Sequence, residues 1–144
     1  MEESKVFNGG LAVDDRGQLM FVNEFDFSTA NIRRFYVVSN HSKGFVRAWH
    51  GHKKEGKYVF VPKGAIVLGM IPLLYEDTDV MKKYVLSEKK PQILYIPPGF
   101  YHGYMTLTDD TQVIFYSTAT IEESKDDDYR LEANHWDIKT IEER

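Results

Sequence analysis

The stretch GFVRAWHGHKKEGKYVFVPKG, residues 44–64, holds the side chains of this sequence that are best suited to chemistry. His50 and His52 are spaced as H-x-H, so on a strand both imidazoles point to the same side, where such pairs often bind a metal ion. Lys57 follows a few residues later, and its ammonium group has no lone pair with which to ligate a metal. The stretch is therefore compatible with two alternatives, a metal site or a metal-free acid–base site.

A second stretch, PQILYIPPGFYHGYMT at residues 91–106, contains P-x-G followed by His102. The two stretches together resemble the two sequence motifs of the cupin superfamily, which implies a jelly-roll barrel with both histidine groups facing its interior. Lys57 stands where the first cupin motif has a glutamate, and Pro91 and Thr106 replace the opening Gly and the Asn of the second motif.

The lysine decides against a metal. In a metal-binding cupin the ligands would map to His50, His52, Lys57 and His102. Two unit charges 4 Å apart repel by roughly 4 kcal/mol at an effective dielectric of 20, and a divalent ion would be repelled more strongly. Glu55 lies close in sequence, but in a predicted turn. We therefore expect no bound metal and no other cofactor.

Four segments, in order, resemble the dTDP-4-dehydrorhamnose 3,5-epimerases. DDRG at residues 14–17 resembles their DxRG, and NHSKGFVRAWH resembles their NHSxSxxGVLRGLH. VRAWHGHKKEGKYVFVPKGAI resembles the stretch around their catalytic histidine, LRGLHxQ…GKLVxVxxGxV. The stretch IPPGFYHGYMTLTDDTQVIFYSTATIEESKDDDYR resembles their IPxGFAHGFxxLSDxAxxxYKxTxxYxPxxExGIR. The similarity runs from about residue 14 to residue 131.

The resemblance implies three catalytic side chains. His50 matches the general base, Tyr116 the general acid, and Lys57 a lysine placed close to the sugar ketone. These residue types suit the chemistry, because a 4-keto sugar has acidic protons at C3 and C5. A neutral imidazole accepts such a proton near pH 7, a tyrosine returns one to the opposite face, and an ammonium group stabilises the enolate between the two steps.

The resemblance also implies substrate-binding positions. Arg47 matches an arginine that holds the nucleotide phosphates, which suits the fork geometry of guanidinium. His102 matches a further active-site histidine, and His52 and Arg33 are expected to contact substrate. Arg16 matches an arginine that, in the family, reaches into the nucleotide site of the neighbouring subunit. The expected partners are therefore a nucleotide-diphosphate sugar and a second copy in a homodimer.

Two departures from the family concern the support of the base and the nucleotide pocket. The family has an aspartate near the C-terminus that supports the histidine base, and the matching position here is Asn134, with Asp137 shortly after it. Phe21 replaces a glutamate that follows the family's DxRG. The nucleotide-base pocket is therefore expected to differ from that of the family.

Two alternatives to a 3,5-epimerase remain open. RAWHGHK also resembles RGxHAHK of the dTDP-4-keto-6-deoxyglucose 3,4-ketoisomerases, and His52 favours them. YHGY, the tyrosine in FYSTAT and the late DDDYR favour the epimerases. The second alternative is a cupin that binds a small ligand without catalysis, with Arg47, His50, Lys57 and His102 forming an anion pocket. We expect a nucleotide-sugar epimerase of deoxysugar biosynthesis.

The elements that must position these side chains are predicted to be short strands. Segments rich in β-branched and aromatic residues are separated by turn formers, and LAVDDRGQLMFV predicts a hairpin around Asp14–Gly17. This pattern predicts an all-β jelly-roll barrel, the cupin double-stranded β-helix. The predicted strands lie at residues 32–39, 44–50, 57–64, 65–75, 82–87, 92–97, 102–108 and 111–120.

The whole chain, residues 1–144, is predicted to form one cupin domain, with a core at about 14–120 and a C-terminal tail at 121–144. Within the tail, residues 125–128 are expected to form a solvated turn. Trp136, Ile138 and Ile141 are expected to form either a short docked segment or a helix.

Composition excludes several classes of function. The formal net charge is -4, which gives no electrostatic footprint for nucleic acid. There is no cysteine, which excludes disulfides, a thiolate zinc site and a cysteine nucleophile. No apolar run approaches the roughly 20 residues of a membrane helix, and the N-terminus is too polar for a signal peptide. A cytoplasmic location without membrane partners is the resulting expectation.

Overall fold

The computed structural model describes residues 2–75 and 80–144, which form mainly antiparallel strands. The helices among the described residues are short: α1 (Phe27–Ala30), α2 (Ile121–Lys125) and a 3-10 helix at Leu73–Tyr75. The strands are β1 (Lys5–Asn8), β2 (Gly10–Asp14), β3 (Gly17–Phe21), β4 (Arg34–Asn40), β5 (Val46–His52), β6 (Lys57–Lys63), β7 (Ala65–Pro72), β8 (Lys82–Ser87), β9 (Gln92–Ile96), β10 (Phe100–Thr106), β11 (Thr111–Ser117) and β12 (Tyr129–Arg130).

Ten of these strands build two five-stranded sheets. The first sheet has the order β1-β9-β6-β11-β4 and the second the order β12-β5-β10-β7-β8, while β2 and β3 form a separate hairpin. Every strand pair is antiparallel. This arrangement confirms the predicted all-β jelly roll. No helix within residues 2–75 and 80–144 is long and apolar enough to cross a membrane.

Strand alternation builds the core between the two sheets. Along β6, Lys57, Val59 and Val61 are buried while their neighbours are only partly so, because successive side chains point to opposite faces. Apolar residues of both sheets fill the space, and each fully buried Val or Leu stabilises the fold by about 1.5–3 kcal/mol. The buried members are Val59, Val61, Ile66, Leu68, Met70, Leu86, Leu94, Ile96, Phe100, Tyr104, Val113 and Phe115.

The C-terminal tail packs against the outer face of the second sheet. Trp136 and Ile138 are buried there in a cluster with Trp49 and Ile71. Residues 131–144 contain no helix, so the docked segment is the alternative that the structure adopts. Ile141 remains 66% exposed and does not share in this packing.

The solvated turn expected at residues 125–128 is confirmed only in part. Helix α2 ends at Lys125 and an exposed turn follows at Asp126, but Asp127 is buried. The helix begins with a capping box, in which Thr120 Oγ1 accepts from the Glu123 amide at 3.2 Å and Glu123 Oε1 accepts from the Thr120 amide at 3.0 Å. T-x-x-E is the sequence signature of such a start, and the acidic run after it obscured that signal.

Strand β1 is a further difference, because no strand was predicted near the N-terminus. It pairs with β9 along the edge of the first sheet, with Val6 opposite Leu94. The predicted strand at residues 65–75 ends at Pro72, where a proline removes a backbone donor from the ladder. The predicted hairpin at Asp14–Gly17 is confirmed as β2–β3.

Candidate active site

A cavity of about 270 Å³ opens between the two sheets and gathers the chemically capable side chains. Five residues singled out in the sequence line it: Arg47, His50, His52, Lys57 and His102. The remaining lining residues are Tyr36, Val38, Tyr104, Phe115, Ser124, Asp128 and Arg130.

A β-bulge in β5 brings Arg47 and His50 to the same side. On β10, His102 pairs with His50 and Tyr104 pairs with Arg47, so that Ala48 and Trp49 of β5 lie opposite the single residue Gly103 of β10. The extra residue shifts the alternation. Trp49 consequently turns to the outer face of the sheet, where it packs edge-on against Trp136, while Arg47 and His50 both line the cavity.

Three imidazoles lie close together in the cavity. The ring centroid of His102 is 6.3 Å from that of His50 and 6.0 Å from that of His52. Burial lowers the pKa of all three histidines, and the charge of Lys57 lowers each further. The imidazoles are therefore neutral near pH 7 and able to accept protons.

The hydrogen bond of His52 determines its tautomer. His52 Nδ1 lies 2.6 Å from the carbonyl oxygen of Asp127, and since a carbonyl only accepts, Nδ1 carries the proton. The unprotonated Nε2 is buried and has no hydrogen-bond partner among the described residues, and the same holds for Nε2 of His102. His52 thus keeps a lone pair available beside the cavity.

Lys57 is the buried cation of the cavity. Its Nζ donates to the hydroxyl oxygen of Tyr36 at 2.7 Å and lies 5.5 Å from the ring centroid of Phe115. Burial lowers the pKa of Lys57 to about 8, and the negative charge of Glu55 opposes that shift. Because Lys57 has no acceptor, the oxygen of Tyr36 accepts and its own O–H proton remains available to a ligand.

Glu55 has a larger part in the site than its predicted turn position suggested. Its side chain is fully buried, and Oε2 accepts from Ser117 Oγ at 2.6 Å and from Arg34 Nη2 at 3.2 Å. Oε1 accepts from Ser124 Oγ at 2.7 Å. Burial raises the pKa of Glu55, but these hydrogen bonds and the charge of Lys57 outweigh it and leave the pKa lowered.

Asp127 holds the turn that carries Glu55. Its carboxylate accepts from the backbone amides of Lys53, Lys54 and Glu55 at 2.7, 2.9 and 2.9 Å. Sequence reasoning missed this residue because it lies more than seventy positions along the chain from its partners. It also missed Tyr36, whose inward position follows from the alternation of β4.

Tyr116 does not line the cavity, which corrects its assignment as general acid. On β11 it is the neighbour of the inward-facing Phe115, so it points to the outer face and packs against Phe25 and Phe27. The family pattern places its tyrosine thirteen residues after the histidine of FAHGF, and thirteen residues after His102 stands Phe115. The spacing in the sequence therefore matches Phe115, and not Tyr116, to the family's tyrosine.

Arg16 and Arg33 also lie outside the cavity lining. Arg16 sits in the turn of the β2–β3 hairpin, with 87% of its side chain exposed, and pairs with Asp14. Arg33 is half-exposed and lies 3.9 Å from Glu123. Its neighbour Arg34 points inward instead, to Glu55.

Neither predicted support of His50 reaches the cavity. Asn134 is exposed, and Asp137 accepts from the Lys139 amide at 2.8 Å and from Thr140 Oγ1 at 2.5 Å, so it closes its own turn. The carboxylate that does line the cavity is Asp128, which pairs with Arg130 at 3.0 Å. The negative charge of Asp128 raises the pKa of His50, against the larger lowering by burial.

A larger cavity, about 770 Å³, lies beneath the C-terminal tail on the outside of the second sheet. Its lining includes Lys83, Asp137 and Arg144 but no histidine among the described residues. Within the same part of the chain, no group of three His, Cys, Asp or Glu side chains is arranged to hold a metal ion. The metal-free character of the site stays a prediction.

Comparisons with known proteins agree with the fold. The sequence model of the dTDP-4-dehydrorhamnose 3,5-epimerase family matches residues 1–143. The spore coat polysaccharide biosynthesis protein SpsL of Bacillus subtilis is 29% identical over 137 residues, which cover 89% of this chain and 85% of that protein.

Solved structures of two enzymes extend this similarity. The dTDP-4-dehydrorhamnose 3,5-epimerase of Sulfolobus tokodaii is 27% identical with a TM-score of 0.76, covering 93% of this chain and 80% of that one. The enzyme of the same name from Bacillus anthracis, solved with TDP and PPi bound, is 25% identical with a TM-score of 0.74, covering 90% and 78%. The predicted deoxysugar epimerase assignment is confirmed at the level of the family, and the chain belongs to the dTDP-4-dehydrorhamnose 3,5-epimerases, a family of isomerases.

Proposed function

We propose that the protein epimerises a nucleotide-linked 4-keto-6-deoxyhexose by removing and returning a proton next to the ketone, at C3, C5 or both. The observation that carries the proposal is the cavity, which combines neutral imidazoles, a buried ammonium group and a tyrosine hydroxyl. Its volume of about 270 Å³ is slightly below the range of small-molecule pockets, roughly 300–1,000 Å³. We expect the sugar ring to lie inside the cavity and the nucleotide to lie at its mouth.

The proposed general base is His50. Burial and the charges of Arg130 and Lys57 lower its pKa, so its neutral form accepts a proton from the carbon next to the ketone. The electron pair of the broken C–H bond then forms the carbon–carbon double bond of the enolate, and the ketone oxygen becomes an oxyanion. His52, with its free Nε2, is proposed to contact the same substrate region together with His102.

Lys57 and Tyr36 are proposed to serve the second half of the reaction. The ammonium group of Lys57 stabilises the enolate oxygen, and a charged donor has a large effect in such a buried site. Tyr36 replaces Tyr116 as the proposed proton donor, because its hydroxyl lies in the cavity and accepts from Lys57 at 2.7 Å. Burial raises the pKa of Tyr36, which keeps its proton bound until the enolate carbon accepts it.

Arg47 and Arg130 are proposed to hold the diphosphate. Both are exposed residues that line the cavity mouth. Arg47 Nε donates to Asn40 Oδ1 at 2.6 Å, and this hydrogen bond orients the guanidinium group. Guanidinium forks match phosphate geometry better than ammonium groups do.

A homodimer is part of the same proposal. The β2–β3 hairpin exposes Val13 and Leu19, at 71% and 64%, and the outer face of the first sheet exposes Phe35 at 66%. Large exposed apolar side chains of this kind favour association with a partner surface. In such a dimer Arg16, at the tip of the hairpin, would reach the partner's nucleotide site, whereas contact of Arg33 with substrate stays a prediction. Sedimentation velocity tests the dimer.

The cytoplasmic location of the protein stays a prediction.

A specific observation favours a second candidate, the 3,4-ketoisomerase. Phe115 occupies the position of the family's tyrosine and presents no proton donor to the cavity. A ketone shift requires one proton to be removed from C3 and one to be added at C4. Groups on one side of the sugar ring can carry out both transfers. His50 and His52 both line the cavity and have lone pairs suited to that transfer.

Solvent exchange separates these functions. The protein is incubated with dTDP-4-keto-6-deoxyglucose in heavy water, and the sugar is followed by NMR. Epimerisation is expected to place deuterium at C3, C5 or both, with inversion at the exchanged carbon. Deuterium at one carbon together with a 3-keto product would support the ketoisomerase. No exchange with any nucleotide-linked 4-keto sugar would leave the non-catalytic binding module and overturn the proposal.

A further inference from the structure

Glu55 makes contacts that a turn residue does not need. Its carboxylate joins Arg34 on β4, Ser117 on β11 and Ser124 on α2, with Lys57 Nζ at 3.8 Å from Oε2. The turn itself is already closed by Asp127, whose carboxylate accepts three backbone amides there. The buried charge of Glu55 is therefore not required to shape the turn.

We propose that Glu55 is a positioning residue that keeps Lys57 charged and directed at the reacting oxygen, and so sets the upper pH limit of the reaction. The inference rests on the proposed function for its consequence in catalysis. Its geometric basis is independent of the substrate: a fully buried carboxylate, a nearly buried ammonium group 3.8 Å away, and a tyrosine hydroxyl 2.7 Å from that ammonium group.

The charges around Lys57 make Glu55 the main support of its protonated form. Burial disfavours the ammonium form, Arg34 and Arg130 repel it, and Asp128 attracts it less strongly than Glu55 does. Asp128 is also 34% exposed, so solvent screens its charge more than that of Glu55. The other titratable groups that line the cavity with Lys57 are Tyr36 on β4, Arg47, His50 and His52 on β5, and His102 and Tyr104 on β10.

The sign of the effect follows from these charges. Glu55 raises the pKa of Lys57 against the lowering by burial, and the result is a pKa of about 8. Removing the negative charge of Glu55 lowers the pKa of Lys57 further. Lys57 then loses its proton at a lower pH, and with it the stabilisation of the enolate oxygen.

The experiment measures kcat/KM for proton exchange from pH 6 to 10 in three variants. Glu55→Gln removes the charge and keeps the shape, Glu55→Asp keeps the charge and shortens the side chain, and Glu122→Gln removes a charge at an exposed position of α2 as the matched control. Thermal unfolding verifies that each variant is folded. In parallel, NMR of 13C-lysine-labelled protein follows the titration of Lys57, assigned with Lys57→Met.

The wild type and Glu122→Gln are expected to lose activity as the pH rises through about 8, the pKa of Lys57. In Glu55→Gln this alkaline limb moves to lower pH, with a several-fold loss at pH 8, and the NMR midpoint of Lys57 falls in parallel. Glu55→Asp keeps a limb close to that of the wild type although its maximal rate falls. Such a rescue by charge is not expected of a residue that only supports the fold.

A lower melting temperature of Glu55→Gln with an unchanged alkaline limb and an unchanged Lys57 midpoint would overturn the inference. If the wild type catalyses no exchange, the proposed function fails, but the NMR titration still decides whether Glu55 supports the charge of Lys57. The two failures are therefore distinguishable.

Discussion

The space between the two sheets contains an apolar region and a polar cavity, built by the same strands. On β6, Val59 and Val61 enter the apolar region, while Lys57 two residues earlier enters the cavity. On β10 the inward residue His102 lies between Phe100 and Tyr104 of the core. Strand alternation decides only that these side chains point inward, and residue type decides what each one does there.

The two regions differ in how their burial is compensated. Val59 and Leu68 are favourable inside without any specific partner, because removing apolar surface from water is itself stabilising. Lys57 and Glu55 lose hydration on burial and need partners, which Tyr36, Arg34 and Ser117 supply. The apolar region therefore provides stability, and part of this stability offsets the cost of a preorganised cavity.

The largest expected effect is the loss of the base in the cavity. His50→Ala removes the proposed proton acceptor while leaving the apolar region intact, so the exchange rate should fall by roughly 10²–10⁴-fold. The measurement is deuterium incorporation into the sugar, with His41→Ala as the control because His41 is exposed and lies outside the cavity lining. Near-normal exchange in His50→Ala would transfer the role of base to His52.

The second variant shortens a side chain of the apolar region and leaves the cavity intact. Leu68 is fully buried among core residues, so Leu68→Ala should lower the free energy of unfolding by about 2–5 kcal/mol. Activity per folded molecule should remain close to that of the wild type. Denaturant unfolding measures the first quantity and exchange at low temperature the second. A large loss of activity in the folded variant would contradict the separation of the two regions.

The smallest expected effect is the loss of one tyrosine hydroxyl. It is tested on two tyrosines that lie on opposite faces of the first sheet. Tyr36→Phe removes a cavity hydroxyl and should slow exchange by about 10²-fold, the lower end for general acid catalysis. Tyr116→Phe removes a hydroxyl on the outer face and should leave the rate unchanged. The same exchange assay is applied to both variants. Equal losses would restore the role that the sequence assigned to Tyr116.

Much of the fold follows from local patterns. Eight strands and the β2–β3 hairpin lie close to their predicted positions, because β-branched runs bounded by turn formers define such elements locally. Strand β1 and helix α2 escaped prediction, since a four-residue edge strand has little local signal and the acidic run after Thr120 obscured a capping box.

The residues of the site could be predicted where the spacing of a sequence motif determines their position. His50, His52 and His102 line the cavity, because H-x-H and P-x-G-x2-H fix their strands and faces. Lys57 faces it through the alternation of β6, whereas Arg47 needs the β-bulge of β5 to reach the same side. Tyr116 failed because a shift of one residue along a strand turns a side chain to the opposite face. Glu55 escaped attention because its importance lies in partners that come from distant strands and from α2.

The sequence by itself determined the two-sheet architecture, the inward imidazoles and the lysine that disfavours a metal, because each depends on local spacing and residue chemistry. The tertiary structure alone decided that Tyr36 stands beside Lys57, that Asp127 fixes the tautomer of His52, and that Glu55 lies at the centre of the buried charges. The first two contacts join residues that are 21 and 75 positions apart. The third depends on the burial of both Glu55 and Lys57. Only the packing of the sheets and of α2 against them brings such groups together.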